Sequence, residues 1–158
     1  MLVTQRTFSA SIERVRRMLG GAPARLQVAA LPWRETEKGV EVMLITSRDT
    51  GRWVLPKGWP EAGEMRWEAA LREAGEEAGL VGTMSDQEIG RYIYGKNLKS
   101  GLEQRCEVHV FPLKVEKVES HWPEKGQRQR KWFKPSIGAS RVREPELSQI
   151  LFGFNPVR

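Results

Sequence analysis

The chain has 158 residues, which is enough for one domain with a buried core and too few for two domains of ordinary size. A hydrophobic fraction of 39% and a charged fraction of 29% are typical of a folded globular protein and exclude a disordered one. The net charge of +6 favours polyanionic partners, among which phosphates, nucleic acid and acidic membrane surfaces remain open.

Cysteine content and apolar runs set two further limits. Cys106 is the one cysteine of the sequence, which excludes an internal disulfide and a thiolate metal site and favours a reducing compartment. No stretch approaches the roughly 18 consecutive apolar residues of a membrane span. The first residues also carry no apolar run of signal-peptide length. We therefore expect a cytoplasmic protein without a membrane partner.

The N-terminal segment, residues 1–24, is predicted to be a polar extension that carries a short helix. The apolar residues that recur there at helical spacing are Ile12, Val15, Met18 and Leu19. Two glycines follow and end the pattern. We expect the remaining residues, 25–158, to form a single domain.

That domain begins with strand signals. Residues 26–32 and 40–46 are apolar runs that flank a polar segment, which predicts two strands joined by a turn. Residues 52–56 predict a further short strand, and glycine and proline at 57–63 predict a loop.

Helices and strands alternate in the rest of the chain. Residues 66–78 predict a helix that ends at Gly79, a residue type common at helix C-termini. A second helix is predicted from residue 144 onward. The segments predicted as strands between them are residues 88–94, 105–118 and 128–134. This order predicts a layered α/β or α+β domain with a mixed sheet.

The helix at 66–78 concentrates acidic residues on one face. Positions three and four apart share a helix face, so Glu73, Glu76 and Glu77 project together. Arg72 lies at the edge of this face and can reach Glu76. Like charges at this spacing destabilise a helix by about 0.2–0.5 kcal/mol per pair, so a counter-charge is expected. A hard divalent cation such as Mg²⁺ or Mn²⁺ would supply it, whereas the alternative is a solvated acidic helix.

Seven residues in and before this helix recur at the fixed spacing G-x5-E-x7-R-E-u-x-E-E-x-G-u, where u is a bulky aliphatic residue. They are Gly58, Glu64, Arg72, Glu73, Glu76, Glu77 and Gly79. This pattern is the Nudix box, and through it the chain resembles the Nudix hydrolases. One position departs from the box, because Ala74 stands where a bulky aliphatic residue is usual. The departure bears on packing rather than on chemistry.

The resemblance implies an α/β fold, the Nudix-type α/β/α sandwich with a mixed β-sheet, and hydrolysis of phosphoanhydrides with Mg²⁺ or Mn²⁺. The catalytic residues that it implies are Glu76 as a general base, Glu73, and Arg72 as the residue that orients a carboxylate. The metal site that it implies comprises Glu73, Glu77, Glu76, Gly58 and Glu64. Which glutamate takes the proton differs among members of the superfamily.

The sequences that flank the box resemble the diphosphoinositol polyphosphate and diadenosine polyphosphate phosphohydrolases. The flanks that carry this resemblance are residues 47–48, 52–56 and 128–134. Two features depart from that branch: residues 57–60 replace its glycine-rich loop, and Lys131 stands where animal members carry an acid. The resemblance implies a small, highly phosphorylated substrate.

Basic residues outside the box can bind the phosphates of such a substrate. The candidates are Arg25, Arg48, Lys57, Arg128 and Arg130. For Arg128 and Arg130 the alternative is an ordinary solvated strand. Trp59 and Trp67 also have two interpretations, since they either pack against the domain or stack on a substrate base.

The sequence thus predicts a divalent-metal-dependent hydrolase of diphosphoinositol polyphosphates or dinucleoside polyphosphates. Other nucleoside diphosphate derivatives remain open as substrates, namely ADP-ribose, a nucleotide sugar or an RNA 5′ end. A second alternative is a module that binds a phosphorylated ligand or nucleic acid without cleaving it, although the complete set of acids argues against it. Six glutamates against two arginines within residues 58–80 make nucleic acid an unfavoured partner. Both a monomer and a homodimer are open.

Overall fold

A computed structural model describes residues 11–12, 14–15 and 18–156 of the chain. Its centre is a mixed sheet of eight strands, in which β3, β2, β1, β7 and β5 lie side by side in that order. The short strand β4 pairs with β1, β6 pairs with β7, and β8 pairs with β2. The strands are β1 (Arg25–Thr36), β2 (Gly39–Thr46), β3 (Trp53–Val54), β4 (Lys57–Gly58), β5 (Leu80–Met84), β6 (Gly90–Asn97), β7 (Glu103–Val118) and β8 (Arg130–Phe133).

Strands β1 and β2 form the antiparallel hairpin that the sequence predicts, with Trp33 opposite Val42. Strand β1 also pairs with β7, here in parallel, from Arg25 opposite Cys106 to Trp33 opposite Lys114. The remaining strand pairs are antiparallel. The parallel pair is what makes the sheet mixed, as expected.

Two apolar cores lie on the two faces of this sheet, because side chains alternate along each strand. Val28 and Ala30 of β1 face one core, whereas Ala29 and Leu31 face the other. Helix α1 (Arg66–Ala78) covers the first core. Helices α2 (Pro135–Arg141) and α3 (Pro145–Phe152) cover the second. The architecture is therefore the predicted α/β/α sandwich.

Helix α1 packs closely on the sheet through small residues. Its four fully buried side chains are Ala69, Ala70, Ala74 and Ala78. Ala74 is the position where the sequence departs from the Nudix box, and its small side chain fits this close contact. The helix starts where the backbone N–H of Met65 donates to the Glu68 carboxylate at 2.9 Å, and it ends at Gly79, whose φ is 65°.

Three elements were absent from the sequence prediction. Strand β4 lies inside the predicted loop, strand β5 follows α1 directly, and α2 follows β8. The β3 strand is also shorter than the predicted strand at 52–56. Each missed element is short or held mainly by pairing with distant residues, so its local sequence signal is weak.

The predicted N-terminal helix lies partly outside the described residues. Of its described residues, Ile12, Val15 and Met18 are helical, and Gly20 has a φ of 81°. The boundary between an extension and a domain at residue 24 stays a prediction. Among the described residues, no helix combines the length and the apolar character needed to cross a membrane.

Near the C-terminal end of α1, an added methyl group should have opposite effects at Gly75 and at Gly79. A Cβ at Gly75, inside α1, would lie 3.9 Å from the Leu80 carbonyl oxygen, an ordinary contact distance, so Gly75→Ala should stabilise the protein by about 0.5–1 kcal/mol. A Cβ at Gly79 would lie 2.9 Å from Cγ of Trp122 at a left-handed φ, so Gly79→Ala should destabilise it by about 1–2 kcal/mol or more. Chemical denaturation of both variants measures these changes. Equal effects of the two substitutions would contradict this account of the α1 terminus.

Candidate functional site

The C-terminal half of α1 presents its acidic face to a cleft of about 830 Å³. We call Glu73, Glu76 and Glu77 the acidic face, and all three line the cleft, as the sequence predicts from their spacing. Other residues that line it come from the strands, the loops, α1 itself and the segment before α3: Arg48, Arg52, Lys57, Gly58, Trp59, Arg72, Tyr94, Gly95, Lys96, Glu103, Glu124, Arg128, Arg143 and Glu144.

Arg72 holds one side of the acidic face. Its guanidinium donates to both carboxylate oxygens of Glu64, at 2.7 and 3.1 Å. It also donates to Glu73 at 3.0 Å and to the carbonyl oxygen of Trp59 at 3.1 Å. The predicted contact with Glu76 is longer, at 3.6 Å. The hydrogen bonds that Arg72 donates to Glu64 raise the pKa of Arg72 and lower the pKa of Glu64.

Glu77 is held from the other side. Its carboxylate accepts from the backbone N–H of Lys57 at 3.1 Å and from the guanidinium of Arg128 at 2.9 Å. Burial nevertheless raises the pKa of Glu77 to about 7, against the opposing effects of Arg128 and Lys57. Burial also raises the pKa of Glu73, with Arg72 opposing the rise. The acidic face therefore carries carboxylates whose charge the protein alone does not fully compensate.

Gly58 leaves room for the Glu73 side chain. A Cβ at Gly58 would lie 2.2 Å from Oε1 and 2.3 Å from Cδ of Glu73, which is too close for any side chain. Gly58 is held in place by the pairing of β4 with β1, opposite Val28. The glycine of the box is thus required by contact with one of the glutamates of the box.

The donor set fits a hard divalent cation. Carboxylate oxygens lie together on one wall, the pKa values of Glu73 and Glu77 are raised, and Gly58 opens space beside Glu73. Within the part of the chain that the structure describes, no three acidic, histidine or cysteine side chains already converge as a metal cluster. Arg72 and Arg128 hold Glu73 and Glu77 in this arrangement. The fifth predicted metal residue, Glu64, is bound to Arg72 and supports the site from behind it.

The five predicted substrate-binding residues fall in different places. Arg48 lines the cleft, half exposed, and forms an ion pair with Glu124 at 2.9 Å. Lys57 also lines the cleft, over the Tyr94 ring at 4.9 Å from its centroid, and burial lowers the pKa of Lys57. Arg25 lies beside the cleft over the Trp59 ring at 4.3 Å.

Arg128 and Arg130 have mainly internal partners. Arg128 is 9% exposed and contacts Glu77, Glu124 and the Thr46 carbonyl oxygen. The guanidinium of Arg130 donates to the carbonyl oxygens of Ala78 at 2.6 Å and Glu119 at 2.7 Å. The structure thus places Arg130 at the C-terminal end of α1 and Arg128 in the lining of the cleft, paired with Glu77.

Several charged residues of the cleft are not predicted by the sequence. Glu124 joins Arg48 and Arg128, and its loop gave no periodic signal. Arg52 and Glu144, which both line the cleft, form a largely buried ion pair at 2.6 Å. The sequence places Arg52 in a predicted strand and Glu144 at the start of a predicted helix. It does not predict their contact, because the two residues are far apart in the chain.

Most of the chain matches one known domain family. A model of the NUDIX domain matches residues 23–146. The chain belongs to the NUDIX domain family. The match spans the box, every strand and α1.

Individual relatives agree with this assignment. The chain is 38% identical over 134 residues to "Nudix hydrolase 21, chloroplastic" of Arabidopsis thaliana, covering 82% of this chain and 66% of the relative. It is 32% identical over 102 residues to "Diphosphoinositol polyphosphate phosphohydrolase 3-beta" of Bos taurus, covering 63% of this chain and 58% of the relative. The chain thus spans less than two thirds of the length of these curated relatives.

A solved structure shows the same fold. A C. elegans Ap4A hydrolase superposes with a TM-score of 0.59 at 21% identity, covering 82% of this NUDIX chain and 94% of the other. At this identity the similarity concerns the fold alone.

The raised pKa of Glu77 predicts how stability depends on pH in a metal-free solution. A carboxyl whose folded pKa lies above its unfolded value of 4.5 contributes stability below that value and loses it as the pH rises through about 7. Between pH 5 and 8 the wild type should lose on the order of 1–3 kcal/mol relative to Glu77→Gln. Urea denaturation in EDTA at both pH values measures this. The exposed Glu37→Gln is the control, and a constant difference between wild type and Glu77→Gln would contradict the prediction.

Proposed function

We propose that the protein is a divalent-metal-dependent pyrophosphohydrolase that cleaves phosphoanhydride bonds of small polyphosphorylated molecules, with diphosphoinositol polyphosphates or dinucleoside polyphosphates as substrates. The observation that carries this proposal is the cleft itself, in which the acidic face and a set of cations line one cavity. A phosphoanhydride bound together with a cation needs both kinds of wall.

Glu73 and Glu77 would hold Mg²⁺ or Mn²⁺, with Glu76 and the backbone of Gly58 beside them. The cation supplies neutralisation of the phosphate oxygens and acidification of a bound water. Arg72 orients Glu73 through their 3.0 Å hydrogen bond, and Glu64 fixes Arg72 in turn. These contacts preorganise the carboxylates, because each has its direction set before substrate arrives.

Glu76 is the carboxylate best placed to take a proton. It is the exposed member of the acidic face, and its carboxylate lies 3.6 Å from the guanidinium of Arg72. In the reaction, a water oxygen forms the new bond to phosphorus and the bridging P–O bond breaks. The bridging oxygen leaves with the electron pair on the second phosphate, while the water proton passes to Glu76.

The cationic residues of the cleft support a substrate with several phosphates. Lys57, Arg48 and Arg52 line the same cavity as the acidic face, and each can contact phosphate oxygens. The names of the bovine phosphohydrolase and the C. elegans hydrolase both refer to polyphosphorylated substrates, which supports the same class for this chain.

We further propose that residues 25–158 form the catalytic unit, since the family match begins at residue 23 and β1 begins at Arg25. The cytoplasm is our proposed location, because the one cysteine, Cys106, is buried and forms no disulfide. Two relatives carry the words chloroplastic and mitochondrial in their names, and localisation of the tagged full-length protein tests the alternatives.

Glu76→Gln tests the proposed reaction. Removing the proton acceptor should lower kcat by about 10²–10⁴ while leaving the fold intact. Phosphate and nucleotide release are measured with Mg²⁺ and a panel of diphosphoinositol polyphosphates, diadenosine tetraphosphate and ADP-ribose, with the exposed Glu35→Gln as the matched control. No release from any substrate, or release unchanged in Glu76→Gln, would refute the proposal for this site.

Gly58→Ala tests whether the glycine of the box serves Glu73. The added Cβ would lie 2.2 Å from Oε1 of Glu73 and must displace this carboxylate, which should lower kcat about 100-fold. Gly75→Ala adds the same methyl group where its nearest neighbour, the Leu80 carbonyl oxygen, lies at 3.9 Å, and it should leave kcat unchanged. Equal activity of the two variants would show that the position of Glu73 is not critical.

A further inference from the structure

One group of cations in the cleft has aromatic rather than acidic partners. Cζ of Arg25 lies 4.3 Å from the centroid of the Trp59 ring, and Nζ of Lys96 lies 5.2 Å from it. We call Arg25, Trp59 and Lys96 the Trp59 cluster. Trp59 and Lys96 line the cleft, and Arg25 is exposed beside them.

The sheet brings the cluster together from three separate segments. Arg25 of β1 lies opposite Cys106 of β7, which in turn lies opposite Tyr94 of β6. Lys96 follows Tyr94 by two residues and therefore projects from the same face. Trp59 directly follows β4, which pairs with β1 three to four residues beyond Arg25 in the chain direction.

The charges of the cluster are not compensated by the protein. Arg48, Arg52, Arg72 and Arg128, which also line the cleft, each form ion pairs with glutamates. In the described part of the chain, by contrast, neither Arg25 nor Lys96 has an ion pair within 4 Å. Glu103 packs against Gly95, the neighbour of Lys96, without pairing with Lys96. Two cations near one ring repel each other, since they lie within a Debye length, and a bound anion would relieve that repulsion.

The field of these residues is felt at Cys106. Burial raises the pKa of the Cys106 thiol, and a hydrogen bond with Tyr94 opposes the rise. Lys96, Lys57 and Arg25 oppose it further by their charge. Three cations thus lie close enough to Cys106 to favour its thiolate.

Trp59 is in contact with cations and acts as their support. A tryptophan ring attracts a cation over its face, which restricts where a long basic side chain can reach. Because Arg25 and Lys96 already contact the ring, we assign Trp59 to positioning these two cations rather than to stacking on a substrate base.

We propose that Arg25 and Lys96, held by Trp59, form a second anion subsite that binds a phosphate group of the substrate away from the cleaved bond. The proposal rests on the proposed hydrolase function of the same cleft. It narrows the substrate class, because the group that occupies this end of the cleft is then a phosphate and not a nucleoside base.

Binding without turnover tests the subsite. Calorimetric titration with inositol hexakisphosphate in EDTA should give a dissociation constant about tenfold higher for Lys96→Gln than for wild type. Lys114→Gln is the matched control, since Lys114 also lies over a tryptophan, Trp33, at 5.6 Å but outside the lining of the cleft. Equal affinities of Lys96→Gln and Lys114→Gln would overturn the proposal.

The role of Trp59 is tested by a pair of substitutions. Trp59→Leu should weaken inositol hexakisphosphate binding severalfold and leave its salt dependence steep, because no charge is lost, whereas Lys96→Gln should make the salt dependence shallower. Trp59→Phe should retain most of the affinity, since it keeps an aromatic face. Melting temperatures of the three variants check that each is folded.

A base-stacking role gives the opposite pattern. If Trp59→Leu weakens diadenosine tetraphosphate binding more than inositol hexakisphosphate binding, Trp59 contacts a base and the proposal fails. Different results would refute the proposed subsite and the proposed hydrolase function. Normal hydrolysis with unchanged binding in Lys96→Gln refutes the subsite alone, whereas weakened binding in a protein that hydrolyses nothing refutes the proposed function alone.

Discussion

Negative charge is crowded on one face of α1, and much of the surrounding structure compensates this charge. Glu73 and Glu77 stand one turn apart on α1 and both line the cleft. Arg72 holds the first and Arg128 holds the second, and each arginine is itself fixed by a backbone carbonyl oxygen, of Trp59 and Thr46 respectively. The helix can keep its acidic face because counter-charge is built in from both sides.

The same constraint explains why the basic character of the chain is partly internal. Arg128 and Arg130 belong to a segment that looks from the sequence like a surface for phosphates. In the structure, Arg128 compensates Glu77 and Arg130 binds the carbonyl oxygen of Ala78 at the end of α1, where the helix dipole is negative. The count of 26 lysines and arginines therefore overstates the positive charge that is available to a ligand.

Local patterns predicted what local interactions decide. Helix α1, its end at Gly79 and the β1–β2 hairpin follow from residues close in sequence, and the spacing of Glu73, Glu76 and Glu77 determines a shared face. The partners of these residues could not be predicted in this way. Arg52 meets Glu144, and Arg128 meets Glu77, across distances in the chain over which no periodicity extends.

Short elements could not be predicted from the sequence for a related reason. Strand β4 has two residues, and it is a strand only because it pairs with Val28 and Ala29 of β1. The internal role of Arg130 likewise depends on the loop that brings Trp122 and Glu119 beside the C-terminus of α1. Such positions are determined by tertiary packing, which overrides weak local propensity.

The parallel pairing of β1 with β7 has a consequence for how the protein reaches this structure. The two strands lie far apart in the chain, so their pairing closes a long loop and must await synthesis of β7. The lining of the cleft is complete only when the chain has been made to Glu144, the residue before α3. A nascent chain therefore carries the crowded glutamates of α1 before Arg128 exists to compensate them. Completion of the cleft therefore depends on contacts of high sequence separation, which slow folding.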